Sequence, residues 1–121
     1  MQVSNWLVGA NMILDVQKSE IMRSIKERFD EERCSQVERM LSIMSNPVRF
    51  HILCALARET FSVSELVELT GGKLSNVSQQ LKMMTLAGYV NKERLGKQSI
   101  YSLRDIRICE LIKKLEDLFG S

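Results

Sequence analysis

One histidine, one proline and six glycines in 121 residues leave little material for several kinds of chemistry. With no glycine-rich phosphate loop and no legible nucleophile–base–orienter set, the chain is not expected to be an enzyme, and no cofactor is expected. No stretch approaches roughly 18 uninterrupted apolar residues, so nothing in it is expected to span a membrane. Residues 1–17 are fairly apolar but lack a positive leading region and a small-residue cleavage site. Three cysteines without a secretory signal point to a reducing, cytoplasmic setting. So little proline and glycine makes helix the expected dominant state.

What is present fits one soluble domain. Apolar residues make up 45% and charged residues 26%, enough for a core without disulfide or metal staples. The net charge of +2 says nothing by itself, but its distribution does. Between Gly71 and Arg107 seven basic residues face two acidic ones, Glu93 and Asp105, giving +5. The remaining ten basic and thirteen acidic residues give −3. A locally basic segment on a near-neutral chain suggests that a polyanion docks there.

Along the chain, Ser4 or Asn5 can cap a first helix to about Val16. Val3, Leu7, Ala10 and Leu14 form its heptad-like stripe, which Trp6 and Ile13 widen. A frayed tail competes with the reading preferred here, an arm that packs on a partner. Lys18 to Met44 reads as one long helix or two abutting ones. Ile21, Ile25 and Phe29 mark one apolar face, and Val37, Met40, Leu41 and Met44 the second. The charged run from Asp30 to Arg33 is a solvated face or a break. Ser45-Asn46-Pro47 stops and restarts the chain, and a helix to about Arg58 turns Val48, Ile52, Ala55 and Leu56 inward.

Ser62 with Glu65 forms a capping box opening a short helix to about Leu69, which Thr70-Gly71-Gly72 ends. A second helix spans about Lys73 to Ala87, with Leu74, Val77, Leu81 and Met84 on its buried side and Gly88 as its stop. Tyr89–Arg94 and Gln98–Leu103 are strand-like runs around Leu95-Gly96-Lys97, a hairpin. A last helix, about Arg104 to Phe119, aligns Ile108, Leu111, Ile112, Leu115 and Phe119. The expected fold is mostly α with a small β-hairpin. It is a winged helix-turn-helix, α-α-α-α-β-β-α, with an N-terminal helical extension. Residues 1–35 are the extension and dimerisation arm, and residues 36–121 the DNA-binding domain.

The Lys73–Ala87 helix carries Ser75, Asn76, Ser78, Gln79, Gln80 and Lys82 opposite its buried stripe. A merely solvated face normally favours Glu and Lys. Asn and Gln can pair bidentately with adenine, and Ser can donate to bases or phosphates. Most of these residues sit toward the helix N-terminus, the end that enters the major groove in helix-turn-helix proteins. The hairpin adds Lys92, Arg94, Lys97 and Gln98 as phosphate or minor-groove contacts. With Lys73, these are the candidate DNA-binding residues. The alternative is a winged helix used only for protein–protein assembly, without DNA-binding activity.

The motifs Ser45-Asn46-Pro47-Val48-Arg49-Phe50-His51-Ile52-Leu53, Val77-Ser78-Gln79-Gln80-Leu81-Lys82, Ala87-Gly88-Tyr89-Val90 and Ile100-Tyr101-Ser102-Leu103 occur in this order across about two-thirds of the chain. In them it resembles the ArsR/SmtB-type bacterial repressors. The resemblance implies a homodimer joined through its first and last helices, which binds a palindromic DNA operator and releases it when an inducer is sensed. The thiol pair of the arsenic and cadmium sensors falls on Ser62-Val63-Ser64, whose hydroxyls cannot replace thiolates. The zinc-type site falls on Asp105, Arg107, Leu118 and Ser121, and one carboxylate cannot hold zinc, which takes about four ligands. No metal is therefore expected, and the lone His51 has no visible partner.

Sensors of reactive sulfur and oxidants in the same family place one cysteine at the position of Cys54 and a second at that of Gly120. Cys109 lies roughly 16 Å before Gly120 along the helix axis, beyond the roughly 7 Å that a disulfide tolerates between Cα atoms. Cys54 is a buried apolar filler, a thiol switch or another ligand; Cys54 and Cys109 are the candidate redox residues, and Cys109 could instead meet Cys34 across helices. A repressor with no inducer, regulated by its abundance, is the remaining option.

Overall fold

The computed structural model describes residues 15–120 of the chain. It divides between Glu38 and Arg39 into two compact units. The expected helix from Ser4 lies outside the described residues except for Asp15 and Val16, which belong to the next helix.

In the first unit, α1 (Asp15–Arg28) ends before α2 (Glu31–Met44) begins, so the stretch to Met44 is two helices. The Asp30 carboxylate accepts the Arg33 backbone N–H at 2.8 Å, the geometry of an N-cap, which explains the break in the charged run. Ile21, Ile25 and Phe29 are all exposed on α1.

The second unit begins within α2, whose Met40, Ile43 and Met44 pack against its core. Asn46 caps α3 (Pro47–Leu56) by accepting the Arg49 backbone N–H at 3.1 Å, with Pro47 in the first turn where no N–H is needed. Ser62 and Glu65 form the expected capping box of α4 (Val63–Thr70), each side chain bonded to the other's backbone N–H, at 3.2 and 2.9 Å. A cap of this kind contributes about 1 kcal/mol. Next comes α5 (Leu74–Leu86). Its end is a Schellman motif: the Tyr89 N–H bonds Met84 O at 3.0 Å and the Gly88 N–H bonds Thr85 O at 3.1 Å. Gly88 supplies the left-handed residue this requires, at φ +85°.

Three strands form the sheet. Phe61–Ser62 is β1, Val90–Leu95 is β2 and Gln98–Leu103 is β3, in the order β1-β3-β2, all antiparallel. The sequence reading found the hairpin but took Phe61-Ser62 only as a helix start, because two residues are too short to show alternation. Leu95 pairs with Gln98, so the turn holds two residues, with Gly96 at φ +64° as a type II′ turn requires of its first central position. Asp105 caps α6 (Ile106–Phe119).

Ile52, Leu53, Leu56, Leu66, Val77, Leu81, Met84, Val90, Tyr101, Ile108 and Ile112 form the core. Beyond α1, residues of the expected apolar faces also lie outside it: Val37 and Leu41 are exposed on α2, Leu111 and Leu115 on α6 are only half-buried, and one residue at an end of each of α5 and α6 is exposed. Leu74 is 58% exposed, because Gly72 sits so close to Val77 that a Cβ there would lie 3.2 Å from it; the turn covers that end of the core. Phe119 is 86% exposed, since the buried stripe of α6 ends at Ile112. The architecture is a winged helix-turn-helix, α4 and α5 forming the helix pair and β2–β3 the wing.

Candidate nucleic-acid interface

Three fully buried side chains, Val77, Leu81 and Met84, anchor one face of α5 in the core. That fixes the orientation of the opposite face, at successive turns of a 3.6-residue period. Ser75, Asn76, Ser78, Gln79 and Lys82 are exposed there, and Gln80 is half-buried. Lys73 occupies the N-cap position, exposed, with no side chain closing the helix end and no acid in the first turn. The partial positive charge of a helix N-terminus is thus reinforced by a cation.

The wing carries Lys92, Arg94, Lys97 and Gln98, all exposed. Between α5 and the wing runs an open groove of about 570 Å³, lined by Val63, Ser78, Lys82, Thr85, Leu86, Lys92, Ser99 and Tyr101. It brings together Ser78 and Lys82 from the helix and Lys92 from the strand. The other candidates do not join it. Ser75, Asn76 and Gln79 lie on α5 outside the groove lining, and Lys97 and Gln98 sit at the hairpin turn. Arg94 folds over that turn, its Nε donating to Gly96 O at 3.2 Å. Burial pushes the Tyr101 phenol up, so it stays neutral and able to donate.

Sequence reasoning missed Arg49. Its side chain reaches from α3 to α5, where Nη1 donates to Gln80 Oε1 at 3.0 Å. Nε donates to Ile43 O at 2.9 Å and Nη2 to Ser42 O at 3.2 Å, so the end of α2 holds the guanidinium from behind. Gln80 Nε2 in turn donates to Asn76 Oδ1 at 3.2 Å. Arg49 stood in the Asn46-Pro47-Val48-Arg49 motif, but nothing in the sequence pattern linked it to a residue 31 positions away.

Cys54 and Cys109 do not line the groove. The Cys109 thiol points at Ala57 O, 3.7 Å away at the C-cap of α3, and Cys54 lies one turn earlier on α3. Burial pushes the Cys54 thiol up, the Glu116 carboxylate adds to this, and Arg58 opposes it. Glu116 pairs with Arg58 at 2.9 Å. It lies seven residues beyond Cys109, about 10 Å along α6. Cys34 donates to Phe29 O at 3.6 Å.

Asp105 has a structural role: its carboxylate accepts the Arg107 backbone N–H at 3.0 Å and the Arg107 guanidinium at 2.9 and 2.6 Å. The hydrogen-bonded guanidinium holds its carboxyl below the ordinary range. His51 is exposed, its ring beside that of Phe50. Ser121 lies outside the described residues. Among the described residues no three His, Cys, Asp or Glu side chains gather as a metal site would require, and no helix is long and apolar enough to cross a membrane.

A helix pair with a buried-stripe second helix, and a wing beside it, define a DNA-binding protein of the winged helix-turn-helix class. Residues 46–92 match the model of the family described as bacterial regulatory protein, arsR family. The biofilm growth-associated repressor of Xylella fastidiosa (strain Temecula1 / ATCC 700964) is 34% identical over 89 residues, 74% of this chain and 78% of that protein. The HTH-type transcriptional regulator NmtR of Mycobacterium tuberculosis is 32% identical over 84 residues, 69% of this chain and 70% of that one. The crystal structure of the transcriptional repressor BigR from Xylella fastidiosa aligns with a TM-score of 0.71 at 33% identity, covering 75% of this chain and 93% of that one. The chain belongs to the arsR family of bacterial transcriptional regulators.

Proposed function

We propose that this protein is a cytoplasmic, homodimeric repressor that reads a palindromic DNA operator with α5 and grips the flanking phosphates with its wing. The observation carrying this reading is the convergence of Lys82 and Lys92 on one groove beside an exposed row of Ser, Asn and Gln. Phosphate contacts position a protein on the duplex, and uncharged hydrogen-bonding side chains read base edges. Relatives named as repressors support the direction of regulation.

Homodimerisation is supported by apolar side chains left in water. Ile21, Ile25 and Phe29 are exposed on α1, and Ile106, Leu118 and Phe119 on α6. A symmetric pair would bury such faces, and a two-fold protein matches a two-fold operator. Residues 1–35 serve as the dimerisation arm and 36–121 as the DNA-binding domain. The binding face comprises Lys73, Ser75, Asn76, Ser78, Gln79, Gln80 and Lys82 on α5, with Lys92, Arg94, Lys97 and Gln98 on the wing. No metal is assigned to the protein. Cys54 and Cys109, both at the seam of α3 and α6, are the thiols through which a redox response would act.

The test is fluorescence anisotropy on DNA from the protein's own promoter region at fixed salt, with unrelated duplex as competitor. Tight binding that survives the competitor, at two chains per site, is expected. Weak binding without salt dependence would favour the protein–protein module instead, whereas equal loss to unrelated DNA would leave DNA binding but remove the operator. Repeating the titration after polysulfide treatment, on wild type and Cys54→Ser, reads the redox response; a Cys54→Ser protein that still responds fully removes Cys54 from it.

A further inference from the structure

The side chains reading bases are amides, whose two ends differ: the oxygen accepts and the NH₂ donates. Which end faces outward therefore decides which base edges are complementary. In an isolated Asn or Gln both orientations are open, and with donor and acceptor side by side such a residue suits adenine. Here neither Gln80 nor Asn76 is isolated.

The chain of bonds starts at Arg49, and a guanidinium has only donors. The atom of Gln80 facing Arg49 Nη1 at 3.0 Å must therefore be its carbonyl oxygen. That turns the Gln80 NH₂ toward Asn76, at 3.2 Å, and the atom that meets it must again be an oxygen. Both carbonyl oxygens are thus drawn toward donors within the protein, each with one lone pair still open. One N–H of Gln80 and both N–H groups of Asn76 remain. Arg49 cannot swing aside to release the chain without leaving Ile43 O and Ser42 O.

We infer that Arg49 is a specificity-determining positioning residue, which polarises Gln80 and Asn76 so that they present donors and select guanine rather than adenine. Guanine offers two adjacent major-groove acceptors, N7 and O6, whereas adenine places its own N6 amino donor beside N7. A face whose free hydrogens point outward while its oxygens are drawn inward meets the first with two hydrogen bonds and sets donor against donor on the second. This inference rests on α5 being the DNA-reading helix.

The test uses the full-length protein and a randomised-duplex selection to find the preferred site. Anisotropy then follows on that site with each guanine replaced in turn by adenine and by 7-deazaguanine. At the base pair whose preference is altered by Asn76→Ala, the wild type is expected to prefer guanine over adenine by about 10-fold or more and to weaken on loss of N7. Arg49→Met, which removes every donor, frees the Gln80 amide to rotate and should bring guanine and adenine within about 3-fold of each other.

Gln80→Glu is the stronger variant. A carboxylate satisfies Arg49 and presents a second acceptor to Asn76, which must then turn its NH₂ inward and its oxygen outward. Adenine should gain on guanine at that base pair, even though the added charge lowers affinity for every sequence. A purely structural role for Arg49 would change the melting temperature and overall affinity but leave the guanine-to-adenine ratio unmoved in Gln80→Glu, which keeps the Arg49 contact. An adenine preference in the wild type, or a ratio that ignores both variants, overturns the inference and leaves the DNA-reading role intact. Absence of any sequence-selective binding overturns both.

Discussion

Replacing Lys82 and Lys92 together by glutamine should flatten the salt dependence of DNA binding. Both line the groove between α5 and the wing, and both are exposed, so neither supports the core. Each lysine that neutralises a phosphate releases condensed counterions, and each such contact adds about 0.9 to the slope of log K against log salt. In the proposed dimer, two lysines in each protomer would account for about 3.6 of that slope. Over a fourfold rise in salt, the wild type should lose about 150-fold more of its affinity than the double variant does.

Anisotropy titrations on one operator fragment from about 50 to about 200 mM salt measure this directly. Gln79→Ala supplies the control, since an uncharged side chain contributes base preference and little slope. A double variant with the wild-type slope would mean that the groove does not hold the backbone. The assignment of Lys82 and Lys92 as phosphate contacts would then be wrong, whatever happened to affinity at one salt concentration.

Two further outcomes follow from charge and burial. Arg107 holds the Asp105 carboxyl below its ordinary range, so the folded state binds fewer protons there than the unfolded chain does. That stabilisation is present above the ordinary carboxylate value and disappears as pH falls through the lowered one. Thermal melts below about pH 4 should show the wild type losing stability faster than Asp105→Asn, which keeps a capping oxygen but does not titrate; parallel curves would refute this. Burial and Glu116 push the Cys54 thiol up, so its alkylation by iodoacetamide near neutral pH should be slower than that of an unstructured cysteine peptide and should rise with pH. Rapid, pH-independent labelling of Cys54, read by peptide mass mapping, would show the thiolate to be activated instead.

The elements that could be read from the sequence were those whose signals are local. Asn46-Pro47, Ser62 with Glu65, and Gly88 each act within four residues, and each cap stands where the sequence put it. Buried stripes were legible wherever a helix packs along its length, as with Val77, Leu81 and Met84. The pattern misled at helix ends. Leu74 fits the period of α5, but periodicity carries no information about a glycine turn already covering Val77. Phe119 fits the period of α6, but an apolar residue in phase is buried only where something faces it. The strand Phe61–Ser62 was invisible for a different reason: its partners Tyr101 and Ile100 lie about forty residues away, and two residues have no period.

The binding face divides in the same way. That α5 and the wing carry exposed polar and basic side chains is a property of composition, so the row from Ser75 to Lys82 and the lysines of the hairpin could be proposed as a binding face without a structure. Which of them act together is a property of distance. Lys82 and Lys92 share a groove, whereas Arg94 turns back onto Gly96 within its own hairpin. The orientation of an amide is further still from the sequence, because Asn and Gln are spelled the same whichever way they point. In Gln80 it is set by one donor-only residue on another helix, and that residue is held by two carbonyls at the end of a third. Reading adenine from an Asn and a Gln on a recognition helix assumes free side chains, and here Arg49 draws the acceptor of Gln80 toward itself.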